Sequence, residues 1–329
     1  MRLSEFDFYL PKELIAQVPV KPMDSCKLMV MKNNEIFHEK FYNLVKYLDQ
    51  CDTIVLNDTK VIPAKLVGKK VTGGKIEILI VDKLDLYKYK AFVKGKNIRV
   101  GMEIIFGNAL VGKVEEHIAG GEFIIEFNQV LDLAKVGKMP LPPYIKEELK
   151  EQSRYNTVYA RYEGSLAAPT AGLHFTKELL ERIEGKCNTA YITLHIGAGT
   201  FMPVRAENIA EHRMEKEWFR VTKENADIIN NTKGKVIAVG TTVVKALESA
   251  CEDKKVIAKE GLSDLFIYPC YKFKSNIRSM ITNLHLPKST VLLLTCAFAG
   301  RERILNAYKE AIKNNYRFYS FGDSMLILD

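Results

Sequence analysis

The sequence predicts an α/β main domain interrupted by a smaller, barrel-like all-β domain, and three observations carry that expectation. From Cys187 onward, strand-like and helix-like segments alternate, the pattern of a sheet with covering helices. Between Val61 and Phe127 the chain instead runs through short strand-like segments at close spacing, with Gly73-Gly74 and Gly120-Gly121 as turns. The chain has 329 residues, 47% of them hydrophobic, which is enough material for two cores. The expected division assigns residues 1–60 and 150–329 to the main domain and 61–149 to the insert.

Taken in order, PKELIAQ opens with Pro11, which the first turn of a helix tolerates. KLMVMKNNEIFHEKF has two apolar runs joined by Asn33-Asn34, a hairpin signal, and TIVLN (Thr53 to Asn57) reads as a buried strand. KIEILIVDKL, YKAFVKG, MEIIFG, ALVGKVEEH and GEFIIEF are the strands of the insert, and closing such a sheet removes its exposed edges. LPPYIK, Leu141 to Lys146, reads as a rigid linker leaving it. The alternating part then runs TAYITLHIG, EWFRV, ENADIINNT, KVIAVG, TTVVKALESAC, DLFIYP, STVLLLTCAFAG and RERILNAYKEAIKNNY. The tail RFYSFGDSML, Arg317 to Leu326, reads as an aromatic edge strand or as a platform for nucleobase stacking beside Arg317.

Composition narrows the function classes. The formal charge of +8 is spread over many lysines, which suits a weak field for a polyanion and equally suits solubility. Cys26, Cys51, Cys187, Cys251, Cys270 and Cys296 are far apart and form no CxxC pair, so no zinc site is expected and reduced thiols in cytosol are. MRLSEFDFYL lacks the apolar stretch of a signal peptide, and VLLLTCAF is far shorter than the roughly 20 residues of a membrane span.

Four motifs carry candidate chemistry. HIGAGTF, His195 to Phe201, follows a strand and resembles a glycine-rich S-adenosylmethionine loop, but Phe201 stands where close backbone approach needs glycine; a packing turn is the competing account. VIAVGTTVVKALE places Thr241 and Thr242 at a helix start, where free N–H groups can seat a carboxylate or phosphate. SLAAPTAGLHFT, Ser165 to Thr176, is a compact small-residue segment around His174 with no helical or strand period. His174, His195, His212 and His285 each lie in or beside such loops, whereas His38 and His117 fall in hairpins and read as surface residues. No HExxH or facial-triad spacing is present, so no metal is expected.

Together with FDFYLPKELIAQVP, VLNDTKVIPAKL, MPLPPYI, YNTVYA, TNLHLPKSTVLLL and YRFYSFGDSML, these motifs closely resemble the S-adenosylmethionine:tRNA ribosyltransferase-isomerase family of queuosine biosynthesis. The resemblance runs from Phe6 to the carboxyl end and is weakest in the insert. It implies an α/β domain interrupted by a small β-barrel. It also implies a reaction: the ribosyl part of S-adenosylmethionine is transferred and isomerised onto the aminomethyl group of 7-aminomethyl-7-deazaguanine at the tRNA wobble position, giving epoxyqueuosine, adenine and methionine.

Such chemistry needs a group that handles protons beside the sulfonium, and histidine suits it because its pKa lies near working pH. His174, His195 and His285 are the catalytic candidates, His174 first because Ala171 and Gly172 leave room for substrate. Cosubstrate contacts are expected from Thr170, Gly172, Gly197 and Gly199, with Thr241 and Thr242 on the methionine carboxylate. Asp264 and Glu217 are expected on the ribose hydroxyls, and Asp323 is a candidate to orient a base or histidine. The implied partner is a tRNA carrying 7-aminomethyl-7-deazaguanine in its anticodon, bound in part through phosphates, by a cytoplasmic and monomeric protein.

Departures from the family pattern are Glu215 in HRMEKE where a second histidine is usual, Cys270 for glycine in YPGY, Leu284 for phenylalanine, and Met23, Lys27, Lys65 and Lys245 for arginines. A lysine keeps the charge and loses the planar fork. An ordinary methyltransferase and a non-catalytic tRNA-binding protein are the alternatives.

Overall fold

The computed structural model describes every residue except Asn34, Asn108, Glu148, Lys150, Met202, Pro203, Arg205 and Asp329, and gives the backbone alone at Phe201. The second half of the expected Asn33-Asn34 turn and the Phe201 side chain therefore lie outside the described residues. The chain divides into two compact units: residues 1–60, 143–162 and 168–329, and residues 61–142 with 163–167.

The first unit opens with a hairpin, β1 (Lys27–Lys32) and β2 (Glu35–Lys40), paired antiparallel with Asn33 at φ 50 in its turn. The expected helix in PKELIAQ is a single turn, Lys12–Leu14. Strand β3 (Thr53–Asn57) is buried along its whole length, as the consecutive apolar residues Ile54, Val55 and Leu56 require of an interior strand.

In the second unit β4 (Lys65–Lys70), β5 (Lys75–Lys83), β6 (Lys88–Lys94), β7 (Glu103–Phe106), β8 (Leu110–Ala119) and β9 (Glu122–Phe127) close an antiparallel barrel in the order β9-β6-β5-β4-β7-β8. Burial alternates along β5, β6 and β9, because every second side chain points inward. Tyr89, Phe106 and Phe127 fill the interior with edge-on and tilted ring contacts. The barrel predicted from strand spacing is present.

The first unit resumes with α1 (Lys177–Glu184), β10 (Asn188–Leu194), β11 (Glu217–Val221), α2 (Lys223–Asn230), β12 (Val236–Val239), α3 (Thr241–Ser249), β13 (Lys259–Ser263), β14 (Ile277–Asn283), α4 (Thr290–Ala299), α5 (Arg301–Lys313) and β15 (Ser324–Leu328). Thr176, Thr222 and Ser289 cap α1, α2 and α4 through their side-chain oxygens. The nine strands of this sheet run in the order β13-β11-β10-β3-β12-β14-β15-β1-β2. β10, β3, β12 and β14 are mutually parallel, so their carboxyl ends share one edge. The antiparallel strands bring the first residues of β11, β15 and β1 and the last residue of β13 to that same edge.

Two expectations for this part change. DLFIYP is irregular rather than a strand: β13 ends at Ser263, and Glu248 draws the following segment to itself, accepting from the Tyr271 hydroxyl at 3.0 Å and the N–H groups of Lys274 and Ser275 at 2.8 and 3.0 Å. The aromatic tail is not an edge strand. Its strand begins at Ser324, is buried throughout and lies between β14 and β1, because the apolar run SMLIL comes after the aromatics.

Candidate functional site

Ligands of parallel α/β sheets bind beyond the carboxyl ends of the strands, and this edge carries most of the candidate residues. Four loops meet there. Asp58-Thr59 follows Asn57, the last residue of β3, His195 to Phe201 follows β10, Gly240 joins β12 to α3, and Leu284-His285 follows β14.

Asn57, with no exposed surface, ties three of these loops together. Its Oδ1 accepts the N–H groups of Leu194 at 3.0 Å and Thr59 at 3.2 Å, and its Nδ2 donates to the Leu194 carbonyl and to Thr242 Oγ1, both at 3.1 Å. Thr59 then meets His195: Oγ1 lies 2.8 Å from Nδ1. The imidazole is half-buried and stacks on Trp218 with ring centroids 4.9 Å apart and planes 22° apart. Its Nε2 has no hydrogen-bond partner among the described residues. Burial and the nearby Arg220 guanidinium hold its pKa below the ordinary histidine value, so the ring is neutral at working pH. Beside it, burial pushes the Asp58 carboxyl up against the opposing pull of the Thr193 hydroxyl, Arg161 and Arg220.

The glycine loop is held by the protein's own carboxylates. Glu217 Oε1 accepts the Gly197 N–H at 3.0 Å while Oε2 accepts from Lys245 Nζ at 2.8 Å, a pair with side chains 12% and 7% exposed. Glu215, the residue standing in for a family histidine, accepts the Gly199 N–H at 2.8 Å. One face of α3 therefore meets three strands: Thr242 meets Asn57 of β3, Lys245 meets Glu217 of β11, and Ser249 shares a hydroxyl contact of 2.6 Å with Ser263 of β13, as the i, i+3, i+4 spacing allows. The N-cap of α3 is Gly240 at φ 93 with no side-chain cap, and Thr241 and Thr242 are half-buried. This leaves the first N–H groups of α3 for an anion.

His174 sits differently. It closes a turn, Thr170–His174, that the small residues permit within an otherwise irregular segment. Nδ1 lies 3.2 Å from Cys26 Sγ, and Nε2 lies 3.1 Å from Asn283 Oδ1, whose amide is in turn fixed by donation to the Tyr319 carbonyl at 2.8 Å. A Cys–His–Asn row has the outline of a nucleophilic triad, but burial decides against that use. Cys26 is 1% exposed and its thiol pKa is pushed well up, so sulfur stays protonated and donates to Nδ1. The ring is 4% exposed and burial lowers its pKa to about 4. A small cleft lined by Pro19, Val20, Met23, Leu173, His174 and the 320–322 segment passes the ring, with both nitrogens already engaged. Gly172 is small for packing reasons: a Cβ there would lie 2.0 Å from the Tyr159 hydroxyl. Thr170, half-buried, opens the same turn, and Ala171 packs beside Gly240.

His285 is 6% exposed, with Nε2 2.9 Å from Thr282 Oγ1 and its own N–H donating to the Tyr308 hydroxyl; burial lowers its pKa to about 3. The three imidazoles thus share one edge but have no common partner. His195 extends β10 and His285 follows β14, three strand spacings away, roughly 14 Å at the usual 4.7–4.9 Å per strand. Asp264 is exposed at the end of β13, one residue past the Ser263 that pairs with Glu217. Asp323 pins backbone, accepting the N–H groups of Lys27 at 2.9 Å and Arg317 at 2.7 Å.

Sequence reasoning missed Asn57, Thr59, Trp218 and Asn283. The available signal was a polar trio, Asn57-Asp58-Thr59, directly after the apolar run Ile54, Val55 and Leu56. The departures have local accounts as well. Lys27 Nζ donates to the carbonyls of Asn314 and Asn315 at the end of α5, at 2.7 and 3.1 Å. Cys270 adopts φ 81, the left-handed region in which a glycine would be unstrained. Among the described residues no group of three or more His, Cys, Asp or Glu side chains could hold a metal ion, and no helix is long and apolar enough to cross a membrane.

The model of the queuosine biosynthesis protein family matches residues 3–327. S-adenosylmethionine:tRNA ribosyltransferase-isomerases of Caldanaerobacter subterraneus and of a Thermoanaerobacter species are each 49% identical, with all of this chain and all of theirs aligned, and that of Desulforamulus reducens is 47% identical over the same full lengths. The crystal structure of S-adenosylmethionine tRNA ribosyltransferase from Thermotoga maritima is 35% identical, covers 99% of this chain and 100% of its own, and superposes with a TM-score of 0.57. With a family match over nearly its whole length and relatives of this identity, the chain belongs to the queuosine biosynthesis protein family, that of the S-adenosylmethionine:tRNA ribosyltransferase-isomerases.

Proposed function

We propose that the protein transfers and isomerises the ribosyl moiety of S-adenosylmethionine onto the aminomethyl group of 7-aminomethyl-7-deazaguanine at the tRNA wobble position, producing epoxyqueuosine-tRNA, adenine and methionine. Full-length similarity to relatives of that name supports the reaction class, and the observation that carries the assignment of the site is His195: of the three candidate imidazoles it alone is half-exposed, and its Nε2 is unpartnered among the described residues.

The chemistry follows from the cosubstrate. A sulfonium acidifies the ribose 5′ hydrogens and leaves as a neutral thioether, so the protein's tasks are to orient the sugar, manage a proton at C5′ and ease the departure of adenine. His195, held flat by Trp218 and edgewise by Thr59, faces the substrate in this reading. The methionine carboxylate takes the start of α3 at Thr241 and Thr242, and the loop with Gly197 and Gly199, fixed by Glu217 and Glu215, shapes the wall beside the sugar. Asp264 lies on the same edge for a ribose hydroxyl. His174, Thr170 and Gly172 build the neighbouring wall, and His285 sets the end of β14. The formal charge of +8 favours the tRNA, whose unpaired anticodon bases are accessible for readout.

Incubating the protein and modified tRNA with S-adenosylmethionine labelled separately in methyl and ribose tests this. Ribose label on tRNA with methyl label on free methionine is the expected result. Methyl label on tRNA would make the protein a methyltransferase, and no transfer of either would leave a binding protein.

A further inference from the structure

We propose that Thr59 is a positioning residue that keeps the proton of His195 on Nε2, so that the imidazole presents an N–H to the site, and that Asn57 holds Thr59 to that task. Counting hydrogen-bond donors fixes the tautomer. Thr59 has no exposed surface, and its hydroxyl has one partner among the described residues, His195 Nδ1 at 2.8 Å. A hydroxyl both donates and accepts. If it accepted from an Nδ1–H, its own hydrogen would be buried with nothing to receive it, and a buried donor left unpaired is costly. If it donates to Nδ1, every buried group is satisfied and the ring proton resides on Nε2, the half-exposed side.

The arrangement leaves Asn57 no freedom. Turning its amide over would set NH2 against the N–H groups of Leu194 and Thr59, and Oδ1 against the Leu194 carbonyl. With the amide fixed, Thr59 is anchored through its own N–H. Thr242 accepts from Nδ2, which leaves its hydroxyl hydrogen as a donor at the start of α3. The same side chain therefore sets the polarity of two groups facing the edge, the His195 Nε2–H and the Thr242 O–H, and both are donors. Partial burial, aided by the nearby Arg220, keeps His195 neutral, with a single ring proton to place.

This inference rests on the reading of His195 as the substrate-facing imidazole and sharpens it. A neutral ring with its proton on Nε2 cannot accept at that nitrogen. Its contribution is a hydrogen bond to the negative charge that develops on the departing nucleobase, and removal of the C5′ proton falls to another group.

The test uses the full chain labelled with 15N-histidine at pH 8, with His195 assigned by comparison with His195→Gln. Two-bond 15N–1H correlations separate the two neutral tautomers and require no turnover. The wild type and Thr59→Ser should show the Nε2–H tautomer, and Thr59→Val should show it lost or mixed, with kcat reduced by at least about 10-fold, KM for S-adenosylmethionine little changed, and activity recovered in Thr59→Ser. An Nδ1–H tautomer in the wild type overturns the proposal, as does an Nε2–H tautomer that survives unchanged in Thr59→Val. A wild type that transfers no ribosyl group would count against the proposed reaction while leaving the tautomer measurement intact.

Discussion

His174 and His195 both sit in small-residue loops beyond strand ends, yet their surroundings have opposite consequences. Around His174 every polar contact is made within the protein: a thiol donates to one nitrogen, an amide oxygen receives the proton of the other, and Tyr159 fills the space that Gly172 leaves. Around His195 one nitrogen is fixed, one ring face is covered by Trp218, and the remaining edge is open. A histidine with both nitrogens satisfied and a strongly lowered pKa is part of the fold; a histidine fixed on one side only can act on something else.

Breaking the support beneath the open site should have the largest effect. Glu217→Gln leaves Lys245 buried beside a neutral amide, and about 3–5 kcal/mol of stability should be lost in urea unfolding. Lys245→Arg, which keeps the positive charge opposite Glu217, should lose much less.

The closed site is tested by acid. His174 and His285 have native pKa values lowered to about 4 and about 3, so the unfolded chain binds their protons first. Their contribution is complete above the unfolded value near 6.5 and falls as pH drops from there toward 4 and 3, on the order of 3 kcal/mol for His174 alone. Denaturation midpoints between pH 7 and 4.5 should follow that slope, and His174→Gln should flatten it. A wild-type profile level across this range would show that the ring is not buried neutral.

Packing comes next. Gly172→Ala forces a methyl against the Tyr159 hydroxyl and should cost about 1–3 kcal/mol in unfolding experiments. Full tolerance of alanine would show that the segment is open and return His174 to consideration.

The smallest effect is spectroscopic. Trp218 is the only tryptophan in the sequence and stacks on His195, so protonation of the ring should alter its fluorescence. The midpoint should fall below the ordinary histidine value of about 6.5 and vanish in His195→Gln.

Much of the fold was legible because its signals are local. Alternating burial in β5, β6 and β9 is written as alternating residues, and β3 and β12 as unbroken apolar runs. The tail was misread because its aromatics lie in the turn before β15, and strand position within a sheet depends on partners far away in sequence. The site was legible in part. Glycine, threonine and histidine at strand ends marked the correct edge, but periodicity holds no information on whether a histidine meets a thiol 148 residues away or an open edge. Asn57 was invisible for a related reason: three of its four hydrogen bonds reach groups more than a hundred residues away in sequence, and one asparagine at the end of a strand has no pattern of its own.

The account depends most on the difference between the two imidazoles, and release of free adenine from S-adenosylmethionine in the presence of modified tRNA measures it directly. His195→Gln should lower the single-turnover rate by about 10²–10⁴-fold, while His174→Gln, assayed where it remains folded, should stay within roughly 10-fold of wild type. Unchanged release from His195→Gln, or a loss confined to folded His174→Gln, would contradict it.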